Sequence, residues 1–500
     1  MEVTRSNAVR VVRFLVGLFF RRVEVAGIEH VPATGGGILI AWHPNGLVDP
    51  ALIISCFPRR VVFGARHGLF KWPVVGRLMR ALGTVPIFRA SDLKDADDET
   101  RRQANRKSLD AMAQAVCDGG FAALFPEGVS HDDPFLQELK TGAARLYYRA
   151  KQLCDENGVP PLIIPVGLHY DNKTAFRSNA LVEFHAPMEL PEELLAPIPE
   201  DDDEALHARS GELTHLLEPV LQEVTHATDS WELNQLMNRA RSLMRAERAK
   251  RAGVNLKAPD MVERTLGMAR VWTGYYARME TEPDRVQALF DRVAAYDQAL
   301  LEVKLDDDDL DKPPPIESKW LPVLLAAQAA VVFLVFPPIL VLGSLINAGP
   351  YFLTNLISRV ASKQYKDTAT VKLLAGLVLF PLAWLTAALL VGLGQIELHE
   401  SFVGIPRAPW AAGITTFLIG AFGGALALGY LELVRRTWTS IKIRAKRQWG
   451  STIIRQLSAE RAALYEAIEE IREGLDLPGD VLADGRVGTD EFALDSDDMP

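Results

Sequence analysis

A histidine and an aspartate, His43 and Asp49, stand close together in a loop that directly follows a short apolar run. An imidazole titrates near neutral pH, so it suits a general base that removes a proton from an alcohol. A carboxylate beside it can fix the tautomer of the ring and stabilise its protonated form. We therefore predict that His43 is a catalytic base and that Asp49 orients it.

Each of these two residues also has a simpler interpretation. His43 is then an ordinary loop histidine with satisfied hydrogen bonds. Asp49 followed by Pro50 is typical of a helix start, with the aspartate as N-cap and the proline in the first turn. Capping and orienting are compatible, because one carboxylate oxygen can cap the helix while the other meets the imidazole.

Two other segments place charged side chains just after apolar runs. Glu127 lies between Pro126 and Gly128, which indicates a fixed turn that presents its carboxylate or backbone to a cleft. Arg89 ends the stretch Gly83–Arg89, and a guanidinium there can hold a phosphate through two parallel hydrogen bonds. An ordinary strand exit and a surface ion pair are the alternative interpretations.

The elements that must position these residues alternate between short apolar runs and longer helical stretches from Gly35 to about Leu190. This alternation predicts an α/β domain with a mostly parallel sheet, buried on both faces and flanked by helices. The predicted strands are Ile38–Trp42, Val61–Ala65, Val85–Phe88, Phe121–Phe125, Leu162–Leu168 and Ala180–Phe184. The predicted helices are Phe70–Leu82, Thr100–Val116 and Leu139–Glu156.

Four loops of this region together resemble a known family. His43–Asp49, Gly83–Arg89, Phe125–Gly128 and Ile164–Gly167 occur in the order and spacing of the glycerolipid acyltransferase superfamily. That superfamily includes glycerol-3-phosphate and 1-acylglycerol-3-phosphate acyltransferases. Its common signature has four residues between His and Asp, whereas this chain has five. The sequence His-Pro-Asn-Gly-Leu-Val-Asp-Pro resembles that of a branch with a longer loop, which includes fungal-type glycerol-3-phosphate/dihydroxyacetone-phosphate acyltransferases. A bulged loop must then bring histidine and aspartate together.

The resemblance implies a role for each matching residue. His43 is the general base and Asp49 its orienting partner. Arg89 binds the phosphate of the acceptor, and Glu127 and Gly128 shape the acceptor site.

Further positions are secondary candidates. Pro165 belongs to the fourth motif, which is associated with the acyl-donor side. Backbone N–H groups near Asn45 and Gly46 are candidate stabilisers of an oxyanion. Lys140 is a second phosphate candidate, and its alternative is a solvated lysine on a helix face. We expect neither a metal nor a cofactor, because the histidines show no pair at ligand spacing; acyl-CoA or acyl carrier protein supplies the acyl group.

Charge is distributed unevenly along the 500 residues, which carry a formal net charge of −10. Residues 1–90 have twelve basic and four acidic side chains, a net of +8, which suits an anionic substrate or membrane surface. Nucleic acid is disfavoured, since no aromatic-interleaved basic stripe is present. The three cysteines, odd in number and widely separated, argue against a disulfide framework and favour a reducing compartment.

Three uncharged segments in the second half indicate a membrane domain. The stretch 320–358 is too long for one crossing, and Pro337-Pro338 near its middle predicts a helical hairpin. Two further segments, 373–394 and 410–430, are each long enough to span a bilayer. Basic residues in 359–372 and after 434 place those parts in the cytoplasm by the positive-inside rule, with 395–409 outside and the α/β domain cytoplasmic.

These observations define an expected domain order and function. We predict an integral membrane enzyme that acylates glycerol 3-phosphate or dihydroxyacetone phosphate, in contact with membrane lipids. The alternatives are a 1-acylglycerol-3-phosphate or other lysophospholipid acyltransferase, and a non-catalytic lipid-binding membrane protein. The Arg- and Ala-rich composition favours a bacterial inner membrane. The predicted parts are an interfacial helix (1–24), the acyltransferase domain (25–195), a helical accessory region (196–305), a linker (306–318), the membrane domain (319–433), a cytoplasmic basic helix (434–474) and an acidic disordered tail (475–500).

Overall fold

The computed structural model describes most of the chain. It covers residues 2–88, 98–154, 160–198, 202–254, 258–311, 326–327, 330, 336–361, 368–402, 404–449 and 451–488. The chain divides into two compact units. The first contains 1–241, 251–286 and 471–500, and the second contains 242–250 and 287–470.

Seven strands form the central sheet of the first unit, in the order β1-β7-β6-β2-β5-β3-β4. The five strands from β6 to β4 are parallel, β7 is antiparallel to β6, and β1 is parallel to β7. The predicted mostly parallel sheet is therefore confirmed. The strands are β1 (Arg22–Ala26), β2 (Gly37–Ala41), β3 (Val61–Arg66), β4 (Val85–Ile87), β5 (Phe121–Leu124), β6 (Leu162–Tyr170) and β7 (Asn179–Phe184).

Helices cover both faces of this sheet, as the buried apolar character of its strands requires. One face packs on α4, α5 and α7 through a core that includes Ile38, Ile40, Tyr147 and Leu217. On the other face the Phe57 ring meets that of Phe121, with centroids 4.9 Å apart. The helices of this part of the chain are α1 (Glu2–Phe19), α2 (Val48–Cys56), α3 (Pro73–Leu82), α4 (Asp98–Cys117), α5 (Gly142–Cys154), α6 (Glu192–Leu195), α7 (Asp203–Thr225), α8 (Trp231–Ala252) and α9 (Met261–Met279).

Two boundaries of the first unit differ from the sequence-based expectations. Helix α1 ends at Phe19 and strand β1 begins at Arg22, so the predicted helix 1–24 is too long. The tail from 475 is also partly folded, because Asp480–Val481 (β8) and Val487–Gly488 (β9) pair antiparallel. Arg270 of α9 donates to the carbonyl of Pro478 at 3.0 Å and so holds this hairpin. The predicted disorder is wrong for 475–488, and 489–500 lie outside the described residues.

A disulfide joins Cys117 and Cys154, although the number and spacing of the cysteines argued against a disulfide framework. These residues end α4 and α5, which pack side by side on one face of the sheet. A separation of 37 residues therefore becomes a Cα–Cα distance of 5.2 Å. Cysteine spacing alone could not reveal this, and the reducing compartment loses that support.

The second unit is helical. Its helices include α10 (Pro283–Val303), α11 (Asp307–Asp311), α12 (Phe336–Ala361), α13 (Thr368–Ser401), α14 (Pro409–Trp449) and α15 (Ser451–Arg472). Helices α12, α13 and α14 pack against one another. Asn347 of α12 donates to the Gly420 carbonyl of α14 at 2.8 Å and accepts from Trp384 of α13 at 3.0 Å.

Among the described residues, one helix, α13, is long and apolar enough to cross a membrane. The predicted spans 373–394 and 410–430 fall within α13 and α14. Pro337 and Pro338 lie in the first turn of α12, where the missing N–H of proline has no intrahelical partner to lose. Most of 320–335 lies outside the described residues, so the first arm of the hairpin stays a prediction.

The acidic run predicted as a linker is part of the folded second unit. Asp307 is fully buried and accepts from the Tyr296 hydroxyl at 2.7 Å. The buried guanidinium of Arg461 donates to the Asp307 carbonyl at 2.9 Å and pairs with Asp311. The buried Arg461 guanidinium thus compensates the charge of acidic residues that were predicted to lie in a solvated linker. Residues 312–318 lie outside the described residues.

Three histidines surround one carboxylate where β6, β7 and α7 meet. His169 and His185 place Nε2 at 3.5 and 3.6 Å from Glu183. The His226 ring stacks on that of His169, with centroids 5.4 Å apart. Burial lowers the pKa of His226 to about 3, and the nearby His169 acts in the same direction. His226 is therefore neutral in the folded protein at neutral pH.

We expect the first unit to lose stability on acidification because His226 takes a proton in the unfolded chain near its ordinary pKa of ~6.5 but not in the fold. Above pH ~6.5 this histidine does not reduce the free energy of unfolding. Below that pH the free energy of unfolding decreases by up to about 1.4 kcal/mol per pH unit, until the pKa of His226 in the folded protein is reached. Denaturant unfolding at pH 7.5 and pH 5.5 measures the loss.

A matched pair of variants isolates His226 from the other histidines. His226→Asn removes the titrating ring, and asparagine tolerates the left-handed backbone found there, φ 49°. His215→Asn, at an exposed position of α7, is the control. Between pH 7.5 and pH 5.5, His215→Asn should lose as much unfolding free energy as wild type, and His226→Asn should lose less. An equal loss in both variants would contradict the role given to His226.

Candidate active site

The loop after β2 brings His43 and Asp49 together despite the extra residue between them. Its turn is closed by the Val48 N–H, which donates to the Asn45 carbonyl at 2.9 Å. Gly46 has φ 42°, a left-handed conformation that favours glycine. Helix α2 then begins at Val48, and His43 Nδ1 lies 2.7 Å from Asp49 Oδ2. This turn is the bulge that the longer spacing requires.

The Asp49 carboxylate is fully buried, and donors meet both of its oxygens. Oδ2 accepts from His43 Nδ1 and from the Asn45 N–H, each at 2.7 Å. Oδ1 accepts from the Tyr170 hydroxyl. The proposed N-cap role is therefore incorrect: Leu47 is the N-cap of α2, and Asp49 bonds back to the loop. Three donors offset the cost of burying this charge.

The imidazole of His43 lies flat against the Phe125 ring, with centroids 3.9 Å apart and planes 8° apart. Its side chain keeps 18% of its surface exposed. Because a carboxylate can only accept, Nδ1 carries the proton in this pair. Nε2 is then the nitrogen with a lone pair, which is the arrangement a general base needs.

The side chain of Glu127 is buried, whereas the sequence predicted a turn that presents its carboxylate or backbone to a cleft. The carboxylate accepts from the His43 N–H at 3.2 Å, from the Gln137 N–H at 2.8 Å and from His131 Nε2 at 2.5 Å. The His131 N–H also donates to the His43 carbonyl at 3.1 Å. Glu127 and His131 thus hold the backbone of the base. Gly128 has φ 68°, which the turn requires.

Asn45 and Lys140 are also engaged in ways that limit the predicted roles. The Asn45 N–H is used by Asp49, so it cannot serve an oxyanion, and its side-chain amide donates to the Lys173 carbonyl at 2.9 Å. Lys140 Nζ is exposed and lies 2.8 Å from Glu138, and this bond lowers the pKa of the Glu138 carboxyl. The solvated-lysine interpretation fits Lys140 better than a phosphate site does.

Of the two remaining candidates, Pro165 and Arg89, the structure describes Pro165 alone. Pro165 is buried inside β6 opposite Ile40 and accepts from the His185 N–H at 3.0 Å, so it packs the sheet instead of lining an opening. Arg89 lies outside the described residues. The strand end before it is fixed, because Asn105 exchanges two hydrogen bonds of 3.0 Å with the backbone of Phe88.

Three contributors to the site were not predicted from the sequence: Tyr170, His131 and Lys173. Lys173 pairs with Asp132 and donates to the Pro44 carbonyl at 3.2 Å. Tyr170 is the last residue of β6, at the same carboxyl edge of the sheet as the loop after β2. That position is the signal that was available, since carboxyl ends of parallel strands are where such sheets place ligands.

Residues 22–169, which include the His43–Asp49 pair, match the acyltransferase family model. The resemblance of the four loops to the glycerolipid acyltransferase superfamily is confirmed by this match and by fungal relatives.

Two yeast proteins illustrate the relationship. The chain is similar to glycerol-3-phosphate O-acyltransferase 1 of Saccharomyces cerevisiae, with 27% identity over 54% of this chain and 35% of the relative. Similarity to glycerol-3-phosphate O-acyltransferase 2 is 25% identity over 78% of this chain and 65% of the relative. The chain thus spans less than two thirds of either. Both relatives come from a fungus, so they do not support the predicted location in a bacterial inner membrane.

A solved structure is also similar, the 1-acyl-sn-glycerophosphate acyltransferase PlsC from Thermotoga maritima. It shares 20% identity, covers 44% of this chain and 81% of its own, and superposes with a TM-score of 0.30.

Replacing Glu127 by glutamine should destabilise the domain by about 1–3 kcal/mol, because an amide N–H₂ then faces a buried donor. The catalytic rate should fall as the His43 backbone loses its anchor, while the acceptor KM stays near the wild-type value. Thermal unfolding and steady-state kinetics test this. Glu138→Gln is the exposed control; a change confined to the acceptor KM would restore the acceptor-site role.

Proposed function

We propose that the chain is a membrane-bound O-acyltransferase that moves a fatty acyl group from an acyl thioester to glycerol 3-phosphate or dihydroxyacetone phosphate. The observation that carries the proposal is the 2.7 Å contact between His43 Nδ1 and the buried Asp49 carboxylate, at the carboxyl edge of the sheet. The names of the yeast relatives support a glycerol 3-phosphate acceptor.

The chemistry follows from the free lone pair of His43. Nε2 takes the proton of the acceptor hydroxyl as its oxygen attacks the thioester carbonyl carbon. Asp49 stabilises the imidazolium that forms. When the tetrahedral adduct collapses, the C–S bond breaks and Nε2 returns the proton to the leaving thiolate. An ester and a free thiol result, without a covalent enzyme intermediate.

Phosphate binding is assigned to Arg89, on the strength of the motif Gly83–Arg89. The fixed backbone of Phe88 supports this, because Phe88 directly precedes Arg89 in the sequence. A guanidinium recognises a phosphate by paired hydrogen bonds, which a solvated lysine such as Lys140 matches less well.

Membrane residence is inferred from two parts of the chain. Helix α13 is long and apolar enough to span a bilayer. Helix α1 exposes Val11, Phe14 and Leu18, of which Phe14 keeps 66% of its surface accessible. These residues recur at helical spacing beside arginines, as on a helix that lies in the headgroup region. The charge distribution of the loops supports a cytoplasmic acyltransferase domain.

His43→Ala should reduce acyl transfer by at least about 10²-fold, because general base catalysis is lost. The measurement is transfer of a radiolabelled acyl group from acyl-CoA by the full chain in membranes, with glycerol 3-phosphate, dihydroxyacetone phosphate and 1-acylglycerol 3-phosphate as acceptors. His207→Ala, an exposed position of α7, should behave as wild type. Full turnover by His43→Ala would remove it as the base, and equal lipid binding without any wild-type turnover would favour a non-catalytic protein.

The inferred topology places Ser401 outside the cytoplasm and Ser451 inside it. In intact cells, a membrane-impermeant maleimide should label Ser401→Cys and leave Ser451→Cys and the wild-type cysteines unlabelled. Labelling of both variants should appear once the cells are permeabilised. Labelling of Ser451→Cys but not Ser401→Cys in intact cells would reverse the orientation.

A further inference from the structure

The oxygen of Asp49 that does not face the histidine has its own partner, the hydroxyl of Tyr170. Tyr170 ends β6, and its ring packs against Phe20, with centroids 6.0 Å apart. The hydroxyl therefore reaches Asp49 from a strand, a more rigid element than the loop that carries the base.

The residues after Tyr170 reinforce the same contact. The Lys173 backbone carbonyl accepts from the Asn45 side-chain amide at 2.9 Å, and Lys173 Nζ donates to the Pro44 carbonyl at 3.2 Å. The chain that leaves β6 thus holds the loop after β2 at two adjacent residues, Pro44 and Asn45. No substrate atom is needed for any of these bonds.

A carboxylate held through one oxygen can rotate about its Cβ–Cγ bond, because that terminal torsion is broad. Oδ2 already accepts two bonds from the loop, from His43 and Asn45, and both donors move with the loop. The Tyr170 bond to Oδ1 is the one that ties the carboxylate plane to the sheet. Burial, and then the charge of Asp49, raise the pKa of Tyr170 well above its ordinary value, so the phenol donates throughout the neutral range.

We propose that Tyr170 is a positioning residue for acyl transfer, which fixes the Asp49 carboxylate and through it the tautomer and orientation of the His43 ring. The inference rests on the proposed function. It assigns Tyr170 no contact with substrate, so its removal should affect the rate and leave substrate binding unchanged.

The test is a double-mutant cycle of Tyr170→Phe with Asp49→Asn, measured as kcat and as KM for each substrate. Tyr170→Phe alone should lower kcat about tenfold, with both KM values within about twofold of wild type. In the Asp49→Asn background the same change should alter kcat by less than about twofold, because its effect passes through the carboxylate. Tyr147→Phe, which removes another buried hydroxyl from the same domain, should match wild type.

Two outcomes would overturn the proposal. One is wild-type kcat for Tyr170→Phe. The other is an equal loss of kcat from Tyr170→Phe in both backgrounds, which is the result expected of a hydroxyl that only stabilises the fold.

A spectroscopic measurement separates this inference from the proposed function. In the ¹⁵N-histidine-labelled chain, the His43 Nδ1 proton, assigned by its loss in His43→Ala, should shift or broaden in Tyr170→Phe and stay unchanged in Tyr147→Phe. If wild type transfers no acyl group to any acceptor, the proposed function fails while this spectrum still decides the coupling. An unchanged resonance in Tyr170→Phe would refute the coupling, whatever the activity.

Discussion

A carboxylate removed from water is stable as an anion only when donors replace its hydration. Asp49 has no exposed surface, and its donors come from the loop after β2 and from the end of β6. The loop, the helix that follows it and two neighbouring strands are therefore constrained by one buried charge. The histidine needs this charge for its tautomer, so the geometry of the base depends on the packing of the sheet.

A second buried carboxylate, that of Glu127, holds the backbone of His43. Glu127 binds the His43 N–H and the His131 ring, so the backbone of the base is held as well as its side chain. The tripeptide Pro126-Glu127-Gly128 thus has a structural explanation that requires no substrate contact. Pre-organisation of this kind lowers the cost of reaching the reactive geometry at the moment of transfer.

Apolar periodicity located the strands well, because burial on both faces leaves uninterrupted apolar runs such as Ile38–Trp42. It missed β1, whose sequence Arg-Val-Glu-Val-Ala alternates as an edge strand does. The motifs predicted which loops meet, but the partners within them depend on distances that sequence does not contain. Tyr170 bonding to Asp49, the Cys117–Cys154 disulfide and the buried Asp307 are of this kind, since each joins residues through the packing of separate elements.

Asn347 has a consequence for how the helices of the second unit can move. Its amide binds carbonyls of Gly343 and Gly420 and the indole of Trp384, and so joins three helices at one level. In apolar surroundings an amide without partners costs several kcal/mol, on the order of 2–7. If any one helix slid by one turn, this amide would lose hydrogen-bond partners. One side chain thus fixes the positions of the three helices along their axes relative to one another.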